Sequence, residues 1–78
     1  MQKPHKGHII HWYKFHFDVE KHRDVIPEDT LGYIIIGFRN GLTMMKTSPV
    51  IYLDEYSNQI ETLNSWYTLE GTEHVQTE

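Results

Sequence analysis

Six histidines in a chain of 78 residues are the first side chains to test for chemistry. His5, His8 and His11 are spaced by three, which would stack them on one side of a helix, but on an extended strand His8 and His11 point to opposite sides. No two histidines stand four apart and there is no cysteine, so neither a helical His pair nor a thiolate site for zinc is present. No metal and no cofactor is implied. The serines offer no better start, because Ser48, Ser57 and Ser65 sit in turn-like or capping contexts rather than at a strand-to-helix elbow. Glu28-Asp29 and Asp54-Glu55 are neighbours in sequence, whereas glycoside hydrolysis needs two carboxylates facing each other across a cleft. The glycines match no phosphate-cradling pattern. The expectation is a protein that is not an enzyme.

Binding chemistry has more support. Tyr33, Ile35, Leu42, Met44, Trp66 and Tyr67 are the aromatic and apolar residue types enriched in interface cores, and they are the candidates for contact with another protein. Trp12, Lys14 and His16 would share the outer side of a strand, with Lys21, Arg23 and Arg39 as further cationic or polar groups. That combination of stacking surface and phosphate-neutralising charge defines the alternative, a single-stranded nucleic-acid-binding module. The net charge of −4 and a pI of about 5.8 weigh against it. A second alternative is a protein that sequesters a small, nucleotide-like ligand in a pocket between two copies, lined by Tyr33, Trp66, Tyr67 and Arg39.

The charge is unevenly distributed. Lys3, Lys6, Lys14, Lys21 and Arg23 outnumber Asp18 and Glu20 in the first 23 residues, while from Thr47 onward there are six acids and neither Lys nor Arg. Either a charged partner or pairing between the two ends would use this asymmetry.

The elements that must position these residues are mostly strands. Alanine is absent and Ile, Thr and Tyr are plentiful, a mixture that leans toward β structure. Tyr33 to Phe38 and Leu42 to Lys46 flank Asn40-Gly41, the strongest short hairpin signal, because a type I′ turn needs positive φ at both central residues. A two-residue turn would set Arg39 opposite Leu42, Phe38 opposite Thr43, Ile36 opposite Met45 and Ile34 opposite Thr47. Both faces of that hairpin are then apolar, which requires cover on both sides, and Gly37 permits a bend or bulge within it. From His8 to Glu20, Ile9, Tyr13, Phe15, Phe17 and Val19 share one parity with His11, and Ile10, Trp12, Lys14 and His16 share the other. This alternation predicts a half-buried strand with Trp12 outward. Val25 and Ile26, ahead of a Pro27-to-Thr30 turn, would fold over an open barrel end. Val50 to Leu53 reads as a buried strand, residues 54–58 as a turn, 59–64 as a short element of open type and 65–70 as a closing strand.

The order predicts a mostly β protein, a small antiparallel barrel or roll of five or six strands around the central hairpin, with an SH3-like or OB-like layout. The alternative is an α+β fold with one helix near residues 56–67, where Tyr56, Ile60, Leu63 and Tyr67 recur at helical spacing. Residues 1–7 are expected to form a flexible arm, 8–70 a single domain and 71–78 a disordered acidic tail. No apolar run approaches the roughly 18 residues of a membrane span, so a soluble cytoplasmic protein without membrane contact is expected. The sequence favours a small binding protein that acts through an aromatic and apolar β surface, forms a homodimer and inhibits a cellular machine.

Overall fold

The computed structural model describes residues 3–27 and 29–74. The chain is mostly β and contains no α-helix among these residues; its one helical segment is a single 3-10 turn, Val19–His22, capped by the Asp18 carboxylate. Six strands form one mixed sheet: β1 (His5–His16), β2 (Tyr33–Arg39), β3 (Thr43–Lys46), β4 (Val50–Asp54), β5 (Gln59–Thr62) and β6 (Trp66–Leu69). Their order is β3-β2-β1-β6-β5-β4, with β1 and β6 parallel and every other pair antiparallel. The sheet rolls on itself but its two edge strands, β3 and β4, are not hydrogen-bonded to each other, so it is an open roll. No helix of the described residues is long and apolar enough to cross a membrane.

The roll closes on a core of Ile9, Trp12, Tyr33, Ile35, Val50, Ile60, Tyr67 and Leu69, with Met45 and Leu53 packed against it. Each strand supplies at least one of these residues, and each large apolar side chain so buried contributes about 1.5–3 kcal/mol. Buried polar side chains are paired. Thr47 Oγ1 accepts the Ile35 N–H at 3.0 Å, and Thr62 Oγ1 accepts the N–H groups of Asn64 and Ser65.

The first strand departs from simple alternation. Ile10 pairs with Phe38 and Tyr13 with Ile36, so His11 and Trp12 together face Gly37 in a bulge, with His11 at φ 50°. One extra residue reverses the parity of everything after it. Trp12, expected on the outer side, is therefore in the core at 6% exposure, and Phe15, expected inward, is 53% exposed. Gly37 is the residue that lets the bulge close: a Cβ there would lie 2.5 Å from Ile9 Cγ2 and 2.9 Å from the Ile10 carbonyl oxygen.

The hairpin forms with a corrected register. Asn40 and Gly41 both have positive φ and the Leu42 N–H closes on the Arg39 carbonyl at 3.0 Å, as the type I′ turn requires. The next pair is Arg39 with Thr43, followed by Phe38 with Met44, Gly37 with Met45 and Ile36 with Lys46. Leu42 is thus an inserted residue, and all later partners slip by one. Two anchors hold this register. The Asn40 N–H donates to the His8 carbonyl at 2.6 Å, and the Thr47 N–H donates to the Ile35 carbonyl at 2.9 Å.

Several boundaries are also corrected. The expected arm at residues 1–7 already belongs to the sheet from His5, and Lys3 is held by Glu61. Residues 71–74 lie along β1, where His74 N–H donates to the Trp12 carbonyl and the Glu73 carboxylate accepts the Lys14 N–H; the rest of the predicted tail, 75–78, is outside the described residues. Val25 is exposed and does not cover the roll. The alternative helix at 56–67 is replaced by β5, a turn and the start of β6. The Asp54 carboxylate accepts the Tyr56 N–H within a turn, and Asn58 at φ 56° ends any helical path before Ile60 enters the core.

Candidate interaction surface

The outer face of β1, β2 and β3 is where the displaced parity leaves its mark. Three rows cross it: Ile10, Phe38 and Met44; Tyr13, Ile36 and Lys46; Phe15 and Ile34. Met44 is 61% and Phe38 39% exposed, and Leu42 at the hairpin tip is 86% exposed. The His11 ring stands edge-on to Phe38 at 6.3 Å. Isolated apolar residues on a surface are ordinary, but adjacent ones in register form a patch. Lys46 is the only charged side chain in the three rows.

The outer face of the other half, on β1, β6, β5 and β4, is polar and internally paired. Lys3 Nζ lies 2.6 Å from Glu61 and donates to the Thr62 carbonyl, His5 Nε2 is hydrogen-bonded to Thr68 Oγ1 at 2.8 Å, and His8 Nδ1 is 3.3 Å from Glu70. Trp66 meets Tyr52 edge-to-face at 6.2 Å. The basic first part and the acidic last part of the chain therefore meet within one molecule. A cleft of about 600 Å³ opens between the β1 bulge and residues 70–74, bordered by Ile10, His11, Glu70, Glu73 and His74. Among the described residues no three His, Asp or Glu side chains converge as a metal site would require.

The residues expected to contact a protein partner do not share one face. Tyr33, Ile35 and Tyr67 are core residues, Leu42 and Met44 belong to the apolar patch, and Trp66 lies half-buried on the polar half. Of the four residues expected to line a pocket between two copies, Tyr33 and Tyr67 are buried in the core of the single chain, Trp66 is half-buried and Arg39 is exposed. The nucleic-acid set is also divided. Trp12 is buried with its Nε1–H donated to the Glu70 carbonyl, so it offers no ring face to a base. Lys14 is half-buried with Nζ 5.1 Å from the centre of the Tyr33 ring, and exposed His16 tilts against the same ring at 5.5 Å. Lys21 is exposed in the 3-10 turn, Arg23 pairs with Glu20, and Arg39 Nε donates to the Lys6 carbonyl. Burial raises the Tyr33 hydroxyl above its ordinary pKa, and the carboxylates of Glu73 and Glu55 add to the shift.

Phe15, Phe38 and Tyr13 are the surface residues that pattern alone assigned to the interior or left unused. Their identity was visible, but the side taken by Phe15 and Tyr13 depended on the bulge at His11, which no residue type at that position announces, and the partner of Phe38 depended on the insertion of Leu42. Gly37 was the one hint, and it lies on the partner strand. Comparison of the chain with protein-family models, with curated proteins and with solved structures found no match.

Proposed function

We propose that this chain is a non-enzymatic binding protein that recognises another protein through the apolar outer face of β1, β2 and β3. The observation that supports this reading most is the row Ile10, Phe38, Met44, continued by Leu42 at the hairpin tip and flanked by Phe15. Aromatic and Met side chains are the types enriched in interface cores: the ring of Phe38 loses little conformational freedom on contact, and the flexible Met44 adapts to the surface it meets. A chain this small that covers a partner's surface acts by occlusion, the mode of an inhibitor of a larger machine. The test is affinity capture from cells with the wild-type chain and with Phe38→Asp and Met44→Asp, whose side chains are exposed and whose loss leaves the core intact. One dominant protein is expected with the wild type, absent with either variant and retained by Tyr52→Ala on the polar half. Capture indifferent to Phe38 and Met44 would remove the reading.

A further inference from the structure

We infer that the polar half of the roll carries an open binding site for a neutral sugar ring, centred on Trp66. Ile60, Thr62, Tyr67 and Leu69 are buried, so by strand alternation Gln59, Glu61, Trp66 and Thr68 point outward. They stand in two rows across the sheet: Tyr52, Glu61, Trp66 and His5 in one, and Asp54, Gln59, Thr68 and His8 in the next. A hollow of about 350 Å³ opens there, bordered by Lys3, His5, Gln59 and Trp66. That lies at the lower end of the roughly 300–1,000 Å³ in which small molecules are held.

Charge, ring geometry and hydrogen-bonding capacity select the ligand. Lys3 Nζ lies 2.6 Å from Glu61, so the wall is neutral overall and has no unopposed cation for a phosphate. The Trp66 and Tyr52 rings meet at 73° with centroids 6.2 Å apart, a corner rather than the slot between parallel rings that would hold a flat base on both sides. A puckered sugar ring suits a corner. Its C–H groups lie against the electron-rich face of an aromatic ring while the hydroxyls on its rim reach the polar wall. Each hydroxyl both donates and accepts, and the wall supplies both capacities. Lys3 uses two of its three protons on Glu61 and the Thr62 carbonyl, Glu61 uses one carboxylate oxygen, and His5 uses one ring nitrogen on Thr68 Oγ1. The Trp66 indole N–H has no hydrogen-bond partner among the described residues and is not buried. These existing bonds hold Lys3 and His5 in place, so little ordering remains for the ligand to impose.

Proton–nitrogen correlation spectra of the labelled chain, titrated with maltotriose, cellotriose and chitotriose, test the site. At least one of these sugars is expected to shift the Trp66 indole N–H and the Gln59 side-chain amide saturably, with a Kd of about 1 mM or tighter. The Trp12 indole N–H, donated to the Glu70 carbonyl, should stay unmoved. Trp66→Ala should weaken binding by about tenfold or more. Gln59→Ala trims only an outward side chain, and it should weaken binding in the same direction even if Trp66→Ala fails to fold. Absence of a saturable shift with all three sugars overturns the proposal, and so does binding that survives both substitutions. Shifts at these residues given by inorganic phosphate or oligodeoxythymidylate in place of the sugars overturn it as well. None of these outcomes bears on Phe38 and Met44, so the proposed function stands or falls separately.

Discussion

Gly37 and Tyr33 show how single residues hold the two halves of this sheet together. Gly37 sits under the bulge, and adding one methyl group would press on Ile9, on the Ile10 carbonyl and on the Trp12 Cα at 3.0 Å. Backbone cannot retreat as a flexible side chain can, so Gly37→Ala is expected to cost about 2–3 kcal/mol in urea unfolding. Gly71→Ala is the matched control. Nothing lies within 4 Å of its added Cβ, and only the left-handed φ of 73° is penalised, at about 1–2 kcal/mol. Tyr33 gives a pH dependence of definite sign. Its folded pKa is raised, so above the ordinary value of 10.0 the unfolded chain releases the proton while the folded chain retains it. Stability from this group is complete below about pH 10 and is lost as pH rises from there through the folded value. Denaturation midpoints followed from neutral to strongly alkaline pH should fall in the wild type, and Tyr33→Phe should flatten this part of the curve.

At the level of elements, the hairpin, the strand from Val50 to Leu53, the turn at 54–58 and the closing strand were legible because each carried its own local signal: Asn40-Gly41, an apolar run, the acidic pair Asp54-Glu55 that ends it, a β-rich run. What local pattern does not encode is the count of residues between anchors. His11 in β1 and Leu42 after the turn are each one residue more than regular pairing needs, and each reverses the faces beyond it. His8 and Asn40 close the end of the β1–β2 ladder, where the Asn40 side-chain oxygen accepts the His8 N–H at 3.2 Å. Deleting His11 should straighten β1 without reversing it, because Ile10, Trp12 and Tyr13 would then pair regularly with Phe38, Gly37 and Ile36. His11→Gly relieves a left-handed φ and is expected to stay within about 1 kcal/mol of wild type. Deletion should leave Trp12 inward and Tyr13 outward, so cooperative unfolding and a blue-shifted tryptophan emission are both expected to be retained.

For the molecule as a whole, the exterior was harder to read than the interior. Both faces of the hairpin are apolar, as the sequence indicates, but one is satisfied by the rest of the chain through Ile9, Trp12 and Val50, while the other buries Ile36 and leaves Phe38 and Met44 exposed. Sequence shows how much apolar material there is; only the roll of the sheet shows which share is used up internally. The long reach of β1 has a bearing on synthesis as well. Its His5–Ile9 stretch pairs with β6, which ends at Leu69, and Glu70 donates to the Ile9 carbonyl. While a nascent chain is still being extended, the β1–β2–β3 meander can form, but the far side of β1 stays bare until β6 has been made. Docking β6 there closes a loop through every intervening strand, which is a slow step and the interval in which crowding neighbours compete for that bare edge.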